Sequence, residues 1–252
     1  MSGEAASRAF IELPQEQQKL ADAIFKLGKP SVVVLFNGRP LDIREISQRA
    51  DAVLEAWFPG TEGGSAIADI LFGHRFPEGR LTMSFPYTVG QVPVYYNGFN
   101  TGRPIDCEWS EQRYLSRYID IPNAPLYPFG YGLGFSKIEY CDLELSSVKL
   151  VDQIEVGITV KNIGKYGMTE TVQLYIRDIT GSVVRPIKEL KKFKKVYLEL
   201  GEARKVSFKI NEDTLAFYHA DGSYYAEPGR FKVFVGANSA NTLEAEFIFN
   251  GV

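Results

Sequence analysis

The order of apolar and polar positions changes character twice along the chain. Over residues 14–28, PQEQQKLADAIFKLG, apolar side chains recur at Leu20, Ala23, Ile24 and Leu27, the i, i+3, i+4, i+7 stripe of an amphipathic helix. Pro14 suits the first turn, while Gly28 and Pro30 close the helix. The next run, SVVVLF (31–36), has no polar alternation, the pattern of a strand covered on both faces in a parallel sheet. DAVLEAWF (51–58) predicts a second strand, stopped by Pro59-Gly60. Thr61 stands where it can cap a helix over roughly 63–72, with Gly73 at its end. RLTMSF (80–85) predicts a third strand. Strands and helices that alternate in this way make an α/β unit.

From 86 to 127 no period survives. Tyr87, Tyr95, Tyr96, Phe99, Trp109 and Tyr114 stand among Asn, Gly, Pro and Arg. Irregular segments longer than about 12–15 residues are uncommon in compact domains and tend to be functional or disordered. The aromatic content argues for an ordered excursion that packs between domains or borders a site. From about residue 138 the period becomes two. Ile154, Val156, Ile158 and Val160 alternate with polar or small residues, as do Val172, Leu174 and Ile176, then Val206, Phe208 and Ile210, then Phe231, Val233 and Val235. Turn residues such as Gly201, Asp221-Gly222 and Pro228-Gly229 separate them. This predicts an antiparallel sandwich of immunoglobulin-like type, and the absence of a Cys…Trp…Cys pattern favours a fibronectin III-like variant. The expected fold class is α/β plus all-β: a partial α/β sandwich with the long aromatic loop over 1–137, then a β-sandwich over 138–252.

Composition narrows the chemistry. A net charge of −3 gives no basic surface for nucleic acid or for an anionic membrane. No window approaches the roughly 18 apolar residues that a membrane span needs. The start, MSGEAASRAF, has neither a basic region nor an apolar core, so no signal peptide is expected there, and the compartment stays open between cytoplasm and periplasm or secretion. Cys107 and Cys141 are too few for a framework and are expected as unpaired thiols, though a disulfide stays open. His74 and His219 show no metal-ligand spacing, and no metal or other cofactor is expected.

Several longer peptides are specific. NGRP (37–40), AWFPGTEGGSAIADILFG (56–73), GRLTMSFP (79–86), GQVPVYYN (90–97) and PLYPFGYGLGFS (125–136) occur in this order. Together they resemble the C-terminal half of family 3 glycoside hydrolases of the β-glucosidase type. VKNIG (160–164) and AEPGRFKVFVG (226–236) are similar to that family's fibronectin III-like domain. Gly134 departs from the pattern, which usually has Ser before the aromatic. The resemblance implies an N-terminal (β/α)8 barrel, an α/β sandwich and a fibronectin-like module. A barrel takes about 250 residues, and these 252 residues are spent on other patterns.

The resemblance also implies roles. Retaining glycosidases use two carboxyl groups about 5–5.5 Å apart. The family's nucleophile is an Asp on the barrel, and its acid/base is a Glu of the second domain in an SGE-like motif, matched here by Ser2-Gly3-Glu4. Glu4 is thus the candidate general acid/base; in water at a chain end it is otherwise an ordinary solvated carboxylate. Tyr95, Tyr96 and Trp109 are candidates for sugar contact, or else for packing against the fibronectin-like module. Arg39 follows a strand end, where α/β sheets place ligands, but also suits bracing the turn. The implied function is the C-terminal region of an enzyme that hydrolyses terminal β-D-glycosidic bonds with retention, acting on a β-glucoside or oligosaccharide and inert without the barrel. The alternative is a non-catalytic carbohydrate-binding or assembly module of the same fold. A truncated sheet also leaves a strand edge, and the expectation is that the chain self-associates through it or that another segment covers it.

Overall fold

The computed structural model describes residues 5–104 and 107–251. Its first part holds α1 (Gln15–Phe25), β1 (Val32–Leu35), α2 (Arg44–Arg49), β2 (Ala52–Glu55) and α3 (Gly63–Leu71). β1 and β2 pair in parallel, with Val33 opposite Val53 and Leu35 opposite Glu55. Leu35, Ile43, Ile46 and Phe85 form a small core, flanked by Leu13, Ala21, Phe25 and Trp57. α1 therefore turns Ala21 and Phe25, one helical turn apart, to the core. The stripe expected to be buried is not: Leu20 is 62% and Leu27 68% exposed. The larger Phe25 ring wins the inner face. β1 is likewise only half covered, since Leu35 is buried and Val32 is exposed.

Two local expectations change. The residue before α3 is Glu62, which makes no side-chain cap, so Thr61 does not cap the helix. RLTMSF is not a strand. Its Leu81 and Phe85 amides donate to the carbonyls of Tyr131 and Tyr127 at 2.8 Å each, and only the Phe85–Tyr127 bridge is regular. Pro86 and Pro128 withhold the N–H groups that a ladder here would need.

The second part is a two-sheet sandwich. One sheet orders β4 (Lys149–Leu150), β12 (Thr242–Phe249), β11 (Gly229–Gly236), β6 (Met168–Asp178) and β7 (Glu189–Leu198). The other orders β3 (Ile138–Leu145), β5 (Ile154–Asn162) and β8 (Ala203–Ile210). The short helix α4 (Glu212–Leu215) and a hairpin of β9 (Phe217–Tyr218) and β10 (Tyr224–Tyr225) lie between β8 and β11. The inward positions named by the period-two pattern, among them Ile154, Ile158, Val172, Leu174 and Val233, are fully buried in one core. Burial at about 25 cal/mol per Å² of apolar surface is what holds the two sheets together.

β6 is buried on both faces. Val172, Leu174 and Ile176 point into the sandwich core, while Gln173 and Tyr175 meet the aromatic segment. Gln173 donates to the carbonyls of Gly130 at 3.0 Å and Ala237 at 2.6 Å, and its own oxygen accepts from Tyr175. A side chain on Gly130 would lie 2.1 Å from that oxygen, so only glycine permits the approach. Gly134 has a similar reason for departing from the family pattern: a Cβ there would come within 2.4 Å of the methyl group of Met168, which is 1% exposed.

Candidate functional site

The NGRP turn leaves the carboxyl end of β1, where an open parallel sheet places ligands. Asn37 donates its amide to the Arg39 carbonyl at 2.7 Å, closing the turn. Beyond it, the Asp42 amide donates to the Ile11 carbonyl at 3.0 Å, and Glu12 bridges Asp42 in parallel. Ile11 is 5% exposed and anchors the segment by burial. Arg39 holds the same segment by hydrogen bonds. Its guanidinium donates to the Ser7 hydroxyl at 3.3 Å and to the Arg8 carbonyl.

The other wall of the site comes from the aromatic loop. Val92–Asn97 follows a 3₁₀ turn at Val89–Gln91. Gln91 is buried, donates to the carbonyls of Pro122 and Ala124 and accepts from the Tyr87 amide, which ties both ends of the loop together. A cleft of about 370 Å³ lies between these walls, lined by Ile11, Arg39, Met83, Tyr95, Tyr96 and Phe129 among others. Arg39 is the one charged residue among the described residues that line it, and no carboxylate does. The arrangement can hold an apolar or ring-faced group beside a fixed cation.

An acid at this sheet end is Glu55, the last residue of β2. One of its oxygens accepts the Trp57 amide at 2.9 Å, which helps hold Trp57 in the left-handed region at φ 48°. Among the described residues the other oxygen, like the side-chain oxygen of Asn37, is buried without a hydrogen-bond partner. Burial raises the Glu55 pKa above the ordinary carboxylate range.

The sequence-named residues fall in different places. Glu4 lies outside the described residues. Tyr95 and Tyr96 both line the cleft. Tyr95 is 70% exposed. The Tyr96 ring stacks on Phe129 at 4.0 Å, meets Tyr175 edge-on at 5.9 Å, and its hydroxyl accepts the Leu190 amide. Trp109 is half exposed and is not among the residues that line the cleft. Sequence reasoning did not single out Met83 and Phe129; the proline-rich stretches around both were the available signal. Cys107 and Cys141 are free thiols. Among the described residues no group of three or more His, Cys, Asp or Glu could hold a metal, and no helix is long and apolar enough to cross a membrane.

Comparison with known proteins agrees along the whole length. The profile of the glycosyl hydrolase family 3 C-terminal domain matches residues 1–135, and that of a fibronectin type III-like domain matches residues 170–239. The chain is 47% identical over 249 residues to a periplasmic β-glucosidase of Salmonella typhimurium, covering 98% of this chain and 32% of that protein. It is 39% identical over 242 residues to a putative β-xylosidase of Formosa agariphila, covering 95% of this chain and 31% of that protein. A crystal structure of β-glucosidase from Listeria innocua in complex with gluconolactone superposes with a TM-score of 0.91 at 46% identity, over 99% of this chain and 35% of that one. The chain thus spans about a third of the length of these relatives.

Proposed function

The chain belongs to glycosyl hydrolase family 3, and on that premise we propose that it is the C-terminal region of a β-glucosidase-type enzyme that cleaves terminal β-D-glycosidic bonds with retention. The observation that carries this reading is the unbroken similarity to a β-glucosidase over 98% of the chain.

Glu4 is the proposed general acid/base. To protonate a departing glycosidic oxygen it must itself be protonated, which needs desolvation and a neighbouring carboxylate. Both would come from a barrel that closes over the Ser7–Glu12 side of the cleft and supplies the nucleophile. Tyr95 and Tyr96 are proposed to line the subsite of the departing group, offering ring faces to sugar C–H groups. Trp109 is proposed as a further contact from the same loop. One carboxylate of the required pair is thus supplied here, and the chain alone should turn over nothing.

The test mixes the 252-residue chain with a separately produced family 3 barrel and assays aryl β-glucosides. Hydrolysis should appear in the mixture only. Turnover by the chain alone, abolished by Glu4→Gln, would overturn the division of labour.

A further inference from the structure

We propose that Arg39 is a positioning residue that clamps the segment leading to the acid/base, holding the Ser7–Arg8 stretch against the carboxyl end of the sheet and so limiting the length of unrestrained chain next to Glu4. The inference rests on Glu4 being the acid/base. Arg39 makes two contacts with that stretch, to the Ser7 hydroxyl and the Arg8 carbonyl. Its own backbone is fixed by Asn37 and its side chain lines the cleft. Four residues further on, the Ile11 carbonyl and the Glu12 bridge fasten the segment to Asp42. Asp42 is held in turn: its carboxylate is 8% exposed and pairs with Arg44 at 2.9 Å.

These two fastenings divide the work. The Ile11–Asp42 contact fixes where the segment enters the α/β unit, and it would do so with Arg39 absent. Between Ile11 and Glu4 the described residues are exposed and in no helix or strand, and Arg39 supplies two hydrogen bonds to them. Three residue-to-residue steps of up to about 3.6 Å each lead from Ser7 to Glu4, a tether of roughly 11 Å at most. Release of Ser7 and Arg8 would lengthen the free tether to seven residues, and the volume open to Glu4 would grow accordingly. A guanidinium suits the task because its planar fork reaches two acceptors at once, which an ammonium on a flexible stem cannot do equally well.

A clamp and a substrate ligand predict different kinetics. A general acid matters more as the departing oxygen becomes more basic, because a dinitrophenolate leaves without a proton and an alkylphenolate does not. Misplacing the acid by about 1 Å can cost on the order of 10²-fold. If Arg39 touched the sugar instead, its loss would weaken all glucosides alike.

The experiment joins this chain to the N-terminal two thirds of the Salmonella β-glucosidase and compares Arg39→Ala, Arg39→Lys and Glu4→Ala. For Arg39→Ala, kcat/KM on 4-methylphenyl glucoside should fall roughly 10²-fold, while 2,4-dinitrophenyl glucoside changes by less than about threefold. Arg39→Lys should fall between. Glu4→Ala should show the same selective loss. If Glu4→Ala does and Arg39→Ala does not, the clamp is overturned and the Glu4 reading stands. If Glu4→Ala loses both substrates equally, the reading beneath the proposal fails. A second measurement uses the 252-residue chain: trypsin should cut the Arg8–Ala9 bond severalfold faster in Arg39→Ala, with sites in the sandwich unchanged. An unchanged rate at Arg8 contradicts the clamp independently of catalysis.

Discussion

Arg80 donates to the Glu170 carboxylate at 3.1 Å across the junction of the two units, and the two side chains are only 7% and 5% exposed. The second Glu170 oxygen accepts the Tyr140 hydroxyl at 2.9 Å. Burial, and then the adjacent Glu170 charge, push the Tyr140 hydroxyl far above its ordinary range. The α/β unit is thus tied to the sandwich through β6, and β3 braces the carboxylate that receives it. A buried pair of this kind is a poor source of net stability, but the loss of one partner strands a charge.

Arg80→Met should therefore destabilise the chain by about 3–5 kcal/mol in chemical denaturation. Glu170→Gln should cost less, because the amide oxygen can still accept from Tyr140. A double variant, Arg80→Met with Glu170→Gln, should be more stable than the sum of the single losses predicts. Strict additivity would show that the two residues do not act as a pair.

Lys188 gives a pH signature. Its ammonium donates to the Ser239 carbonyl at 2.7 Å and lies 4.2 Å from the Phe234 ring centre. Burial lowers its pKa from 10.5 to about 8. Between those values the unfolded chain binds more protons than the folded one, so this residue makes stability rise with pH across that window. The shift bounds the gain at about 3 kcal/mol, and the partial exposure of the group brings the expected gain to about 1–2 kcal/mol. Denaturation midpoints at pH 7.5 and 10, for the native chain and Lys188→Met, should converge or cross as pH rises. A constant gap would remove Lys188 as the source.

The sandwich was legible from alternation wherever one face is apolar and the other polar. β5, β6, β8 and β11 have that form. β7 does not: its sequence, ELKKFKKVYL, is lysine-rich because it is the edge of the five-stranded sheet, where lysines discourage further pairing. α2 was missed because six residues give too few turns for a period to show. The expected third strand failed because its partner is the irregular 127–131 stretch rather than β1 or β2. At the site, Arg39 and Tyr95 could be named from the sequence. Their convergence with Ile11 on one cleft depends on contacts between distant segments, which no local pattern encodes.

Among the described residues β1 and β2 pair only with each other, and Val32, Phe36 and Phe58 beside them are exposed. Unpaired edges with apolar neighbours invite another chain. Sedimentation should show concentration-dependent association of the 252-residue chain, and none for residues 138–252. A full chain that stays monomeric at high concentration would count against association through this edge.

The proposed role of Glu4 as acid/base, with the nucleophile elsewhere, has a direct test. With the chain joined to a family 3 barrel, Glu4→Ala should be assayed on 2,4-dinitrophenyl β-glucoside in the presence of azide. Azide, which needs no base, should displace the enzyme nucleophile from the glycosyl-enzyme with inversion at that step. Since the enzyme–sugar bond was itself formed with inversion, the predicted product is β-glucosyl azide, formed at a rate that rises with azide. An α-glucosyl azide would make Glu4 the nucleophile, and a rate indifferent to azide would remove it from the reaction; either result contradicts the account.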